Sequence, residues 1–115
     1  MKNVVLCGFM GAGKTVAGTI VARLAGRPFV DVDAEIAGRA GRSVPAIFAA
    51  EGEDGFRRRE REAVAAVAAR EGQVVATGGG VLLDPVNRAA LADTGALVLL
   101  TATPVNNSLW DLYYL

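Results

Sequence analysis

The sequence has no histidine and a single cysteine, Cys7, in 115 residues. Without histidine there is no Ser-His-Asp or Cys-His triad and no histidine-based metal motif. One cysteine forms no intrachain disulfide and no multi-cysteine zinc site. Charge of one sign is also missing: twelve basic residues balance twelve acidic ones. Binding to nucleic acid through bulk charge needs a basic excess, so no nucleic-acid partner is expected. No apolar run reaches the roughly 18 residues that cross a bilayer, so no membrane partner is expected either. The opening Met1-Lys2-Asn3-Val4-Val5-Leu6 is too short for a signal peptide and runs directly into a glycine motif. A cytoplasmic location is the expectation, and sparing cysteine usage agrees with it.

What is present is enough for one packed domain. Hydrophobic residues make up 52% and charged residues 21% of the chain; a disordered chain is poorer in apolar residues. Val4-Val5-Leu6-Cys7, Phe29-Val30-Asp31, Gln73 to Thr77 and Ala96 to Leu100 read as four short strands. Between the first two, Ala17, Ile20, Val21 and Leu24 recur at helical spacing until Gly26 and Pro28. Residues 34 to 52 read as two short helices punctuated by Gly38 and Gly41, the second restarted by Ser43 and Pro45. A strong helix rich in Arg, Glu and Ala runs from Phe56 to about Arg70. Asp84-Pro85 caps another that ends near Gly95. Strands alternating with helices imply βαβ units and a parallel sheet. The last eleven residues, 105 to 115, hold the only Trp and both Tyr but no Gly or Ala, unlike the body.

Gly8-Phe9-Met10-Gly11-Ala12-Gly13-Lys14-Thr15 matches G-x-x-x-x-G-K-[ST] between a strand and a helix. Glycines let successive backbone N–H groups turn inward as an anion nest, and the helix aims its positive end at the same place. Lys14 supplies a mobile charge for phosphates, and Thr15 offers a hydroxyl to Mg²⁺. Lys14 is one of two lysines beside ten arginines. Asp31-Val32-Asp33 stands at the carboxyl end of the second strand, where open α/β sheets bind ligands. On an extended segment both carboxylates face one way. One can hold a metal-bound water and the other can orient or deprotonate an acceptor hydroxyl; alternatively one caps the next helix.

Phe56-Arg57-Arg58-Arg59-Glu60-Arg61-Glu62 is a charge cluster with Arg57/Glu60 and Arg58/Glu62 at helical spacing. A solvated face explains Arg58, Arg59 and Arg61. An arginine fork also suits a substrate carboxylate. Gly78-Gly79-Gly80 follows a strand directly, which admits a ligand close to the backbone.

Taken together, G-F-M-G-A-G-K-T, F-V-D-V-D, G-x-x-G-F-R-x-x-E (Gly52 to Glu60) and T-G-G-G resemble shikimate kinase in order and spacing over residues 3 to about 104. The resemblance implies a three-layer αβα P-loop fold with a parallel sheet of family order 2-3-1-4-5, here lacking the last strand. Residues 1–104 would be the core, with a helical substrate-binding region at about 34–72, and 105–115 an atypical tail. It implies transfer of the γ-phosphate of ATP to the 3-hydroxyl of shikimate, a step of chorismate and aromatic amino-acid synthesis, with Mg²⁺ as cofactor. By position, Gly11, Ala12, Gly13, Lys14, Thr15 and Val16 bind the nucleotide. Thr15 coordinates Mg²⁺, and Asp31 supports it through water. Asp33 binds shikimate and is the candidate base, and Lys14 is the second catalytic residue. Arg57 pairs with the shikimate carboxylate, Glu60 orients Arg57, and Gly78, Gly79 and Gly80 line the substrate.

In the family a lid with a catalytic arginine follows the position of Pro104, and here no Arg or Lys follows Arg88. A binding module that holds nucleotide or shikimate without transfer is therefore a rival reading, and another small-metabolite kinase such as a gluconate kinase is a second. Family members are usually monomers; here self-association through the exposed fourth strand is an added expectation.

Overall fold

The computed structural model describes residues 2–8, 13–78 and 80–100, with the side chains of 99 and 100 excepted. The expectations for Gly11, Ala12, Gly79 and the tail 105–115 lie outside the described residues. Four strands, β1 (Asn3–Gly8), β2 (Phe29–Asp31), β3 (Val74–Ala76) and β4 (Gly95–Leu100), form one sheet of order β2-β3-β1-β4. All three pairings are parallel, with Val4 opposite Val74 and Ala96, and Phe29 opposite Val74. This is the expected order for the four strands. Among the described residues β4 has no outer neighbour.

Four helices connect the strands: α1 (Lys14–Ala25), α2 (Val32–Ala40), α3 (Val44–Ala68) and α4 (Pro85–Thr94). Because side chains alternate along a strand, β1 feeds two cores. Val5 and Cys7 join Val32, Ile36, Ile47, Phe56, Val64, Val67, Val81 and Leu91 beneath α2, α3 and α4. Leu6 joins Val74 and Ala22 beneath α1.

The caps follow the local sequence. Asp84 Oδ1 accepts the Val86 N–H at 2.8 Å, and Ser43 Oγ accepts the Ala46 N–H at 3.2 Å. Gly26 and Gly41 end α1 and α2 in the left-handed conformation. Gly38 does not punctuate; it lies inside α2, and the break comes at Gly41. Gly52 (φ 72°, ψ −174°), in a backbone state open essentially to glycine alone, is non-helical and kinks α3 into two helical arms. The expected helices on either side of Gly52 are the two arms of this kinked element.

α1 differs from its periodic pattern. Its buried residues are Gly18 and Ala22, while Val16, Ile20, Val21 and Leu24 are exposed. The helix comes down on its small residues: a Cβ at Gly18 would stand 2.3 Å from a ring carbon of Phe29.

The amino edge of the sheet is closed by a buried polar network. Asn3 Nδ2 donates to the Arg70 carbonyl and to Thr94 Oγ1, both at 2.9 Å. Asn3 Oδ1 accepts the Gln73 N–H at 2.9 Å, and Gln73 Nε2 donates to the Val67 carbonyl at 3.0 Å. Among the described residues no helix is long and apolar enough to cross a membrane.

Candidate active site

The carboxyl edge of the sheet collects the residues that the motifs single out. Gly13, at φ 79°, turns the chain into α1, so Lys14 and Thr15 sit at the helix start. Lys14 Nζ donates to the Gly8 carbonyl at 2.7 Å, which folds the lysine back over the end of β1. Val16, assigned to the nucleotide by position, is 67% exposed.

Asp31 and Asp33 do not lie on one extended segment. β2 ends at Asp31 and α2 begins at Val32. Asp31 Oδ1 accepts the N–H groups of Asp33 (2.9 Å) and Ala34 (3.3 Å), so the helix-cap reading of this residue is realised. The cap uses Oδ1, and a water-mediated metal role would fall to Oδ2. Asp33, in the first turn of α2, faces the site. Burial raises its carboxyl above the ordinary 3.8, Asp31 raises it further, and Lys14 and Arg57 pull it back. These four charges therefore share one small region.

Arg57 comes from the part of α3 beyond the Gly52 kink. Its Nη1 donates to Glu60 Oε1 at 3.0 Å and to Oε2 at 3.2 Å. Glu60 is 1% exposed, and burial raises its carboxyl despite the pairing with Arg57. The expectation that Glu60 holds Arg57 has this geometry behind it. Glu53, one turn earlier, lies 3.7 Å from Arg57 Nε. That carboxylate was missed, although its i,i+4 spacing was legible. Of the neighbouring arginines, Arg59 reaches back across the kink to Glu51 at 2.9 Å within α3, and Arg61 pairs with Asp84, the cap of α4, at 2.7 Å.

Two of the three glycines at the end of β3 are described, and both abut these side chains. A Cβ on Gly78 would stand 3.2 Å from Asp33 Oδ1, and one on Gly80 2.6 Å from Arg57 Nη1. Thr77, read from the sequence as the end of the third strand and the start of the T-G-G-G motif but given no role of its own, is buried and donates through Oγ1 to the Leu6 carbonyl at 3.3 Å. It ties the end of β3 to β1. Cys7 lies beneath, and burial raises its thiol, so it is a packing residue and not a nucleophile. The oxygen donors at hand, the Thr15 hydroxyl and the carboxylates of Asp31 and Asp33, are the hard ligands that Mg²⁺ prefers.

A parallel sheet of this order, with a glycine-lysine turn opening α1 and an acid-arginine pair beside it, defines a P-loop α/β protein. The comparisons narrow the class. The family model for shikimate kinase matches residues 10–107, and the chain belongs to that family. The shikimate kinase of Symbiobacterium thermophilum is 56% identical over 102 residues, covering 89% of this chain and 59% of the relative. That of Dechloromonas aromatica is 50% identical over 104 residues, covering 90% and 57%. The chain thus spans somewhat under two thirds of the length of these curated relatives. Among solved structures, shikimate kinase from Acinetobacter baumannii in complex with shikimate superposes with a TM-score of 0.86 at 43% identity, over 98% of this chain and 63% of that one. A gluconokinase from Sinorhizobium meliloti, at 23% identity and a TM-score of 0.55, shares the fold alone.

Proposed function

We propose that this chain carries the phosphate-binding and acceptor-binding half of a shikimate kinase site and takes ATP and shikimate as ligands. The observation that carries the reading is the meeting of Lys14, folded over the end of β1, with Asp33 and Arg57, which abut Gly78 and Gly80 at the end of β3, at one sheet edge. Family membership supplies the substrate class.

In this reading Gly11 to Val16 hold the nucleotide, with Lys14 neutralising the β- and γ-phosphates. Arg57, braced by Glu60, grips the shikimate carboxylate through its fork. Gly78, Gly79 and Gly80 bring the backbone against the sugar-like ring. Asp33 accepts a hydrogen bond from the 3-hydroxyl and orients its oxygen for in-line attack. As that oxygen bonds to the γ-phosphorus, its proton passes to the Asp33 carboxylate, and the bond to the β-phosphate oxygen breaks to leave ADP. The raised carboxyl makes Asp33 a better proton acceptor than an ordinary aspartate. Thr15, with Asp31 through water, would hold Mg²⁺, which when bound neutralises charge on the transferring phosphoryl group.

The test is ADP release from Mg-ATP by the purified chain, with and without shikimate and with gluconate as the alternative acceptor. Shikimate-stimulated release that disappears in Lys14→Ala is the expected outcome. Shikimate and nucleotide binding without transfer would make the chain a binding module. Stimulation by gluconate alone would overturn the shikimate assignment.

A further inference from the structure

Glycine is needed at a position either because the backbone demands it or because a side chain would collide with something. Gly13 and Gly52, with φ of 79° and 72°, belong to the first kind. Gly80 does not. Its φ of −91° and ψ of −5° are open to any residue. The three atoms nearest to where its Cβ would stand all belong to the Arg57 guanidinium: Nη1 at 2.6 Å, Nη2 at 2.7 Å and Cζ at 2.9 Å. All are closer than van der Waals contact allows.

We propose that Gly80 is a positioning residue whose missing side chain forms the seat for the Arg57 guanidinium and so sets how the carboxylate-binding fork is presented. Three supports then hold that fork. Glu60 takes Nη1 from below, Glu53 stands 3.7 Å from Nε, and the Gly80 backbone closes the side where a methyl group would stand. Gly78 repeats the device more loosely beside Asp33, at 3.2 Å. The described glycines of the triple run thus shape the site by making room for two side chains, in addition to any amide they offer. The consequence for ligand recognition rests on the proposed shikimate-binding reading; the seat itself rests on the geometry of this chain.

A double-mutant cycle over wild type, Gly80→Ala, Arg57→Ala and the double variant tests it, read in two ways. The first reading is thermal and needs no ligand. An added methyl must displace the tip of the Arg57 side chain, and the cost of that shift lies in the loosened pairing of the guanidinium with the buried Glu60 carboxylate. Gly80→Ala is therefore expected to lower Tm by roughly 4 °C or more, and by much less when Arg57 is already alanine. An equal drop in both backgrounds would locate the damage in the backbone and overturn the seat. No drop in either background would overturn it too.

The second reading is shikimate affinity by calorimetry. Gly80→Ala should weaken it roughly tenfold or more, within the coupling that contacting residues show. The double variant should bind no worse than Arg57→Ala alone. Losses that multiply in the double variant would overturn the proposal. If wild type binds no shikimate, or Arg57→Ala binds it normally, the functional reading falls, and the thermal cycle still decides whether Gly80 seats Arg57.

Discussion

The two edges of the sheet bury polar groups in opposite ways. At the amino edge Asn3 and Gln73, 1% and 4% exposed, spend their amides on one another, on the Arg70 and Val67 carbonyls and on Thr94. At the carboxyl edge Glu60 is buried and Asp33 half-buried, both with their carboxyls raised, Glu60 even while paired with Arg57. A satisfied network stabilises the fold and leaves nothing for a ligand. A strained cluster costs stability and is where chemistry is found. Substitutions at the two edges should therefore differ in kind: loss of stability without loss of ligand recognition at one, and the reverse at the other.

The largest effect is expected at the carboxyl edge. Lys14→Ala removes the only lysine at the phosphate loop and should reduce shikimate-dependent ADP release by roughly 10²–10³, the scale of losing one preorganised charge-stabilising donor. Its Tm should stay near that of wild type. A variant that loses its fold instead of its activity would break the contrast, because Lys14 would then be structural like Asn3.

At the amino edge the counterpart is Asn3→Ala. It strands the Gln73 N–H and removes the amide that joins Arg70 to Thr94. Leaving buried polar groups unpaired should cost about 2–3 kcal/mol, measurable by urea denaturation. Shikimate affinity per folded molecule should be unchanged. Reduced affinity in the folded fraction would show that the two edges are coupled through β1.

How far this contrast was legible in the sequence follows from the range of the interactions. Short-range features came through. Asp84-Pro85 and Ser43 carry their caps within three residues, and Arg57 with Glu60 is a helical i,i+3 pair. The strands were legible as apolar runs, and the family resemblance supplied their order. Long-range features did not come through. Nothing local to Asn3 points to Gln73, seventy residues away. The periodic stripe on α1 marked a helix but not its buried face, which is set by the bulk of Phe29 against Gly18. The site was read with Asp31 and Asp33 on an extended strand. The helix begins two residues earlier than that reading needed, at Val32 and not at Ala34, because Asp31 caps it.

A smaller effect, of opposite sign to Asn3→Ala, should come from Asp33→Asn. Folding raises the Asp33 carboxyl, chiefly through burial, so the folded chain holds that proton more tightly than the unfolded one. The stability linked to it is full below the unfolded-state value of 3.8 and is lost as pH rises through the folded value. The neutral amide removes that loss. Stability near pH 7 should rise, and the fall in stability from pH near 4 upward should become shallower, while transfer to shikimate drops. A pH series of thermal melts checks it. Identical slopes for the variant and wild type would mean that Asp33 is not strained, and the carboxyl edge would lose half of its contrast with the amino edge.

The smallest effect belongs to Arg70→Ala, which separates what matters at the amino edge from what merely lies there. The Arg70 side chain, 49% exposed, pairs with Glu35 on α2, while its backbone carbonyl receives the Asn3 amide. Alanine keeps the carbonyl and deletes only the surface ion pair. An exposed pair of this kind contributes under about 1 kcal/mol, because water screens the charges and two long side chains must be held still. Arg70→Ala should therefore lower stability far less than Asn3→Ala, and raising the salt concentration should erase even that difference from wild type. A loss as large as that of Asn3→Ala, persisting at high salt, would place the strength of this edge in its charges. The buried amides would then no longer account for the difference between the two edges.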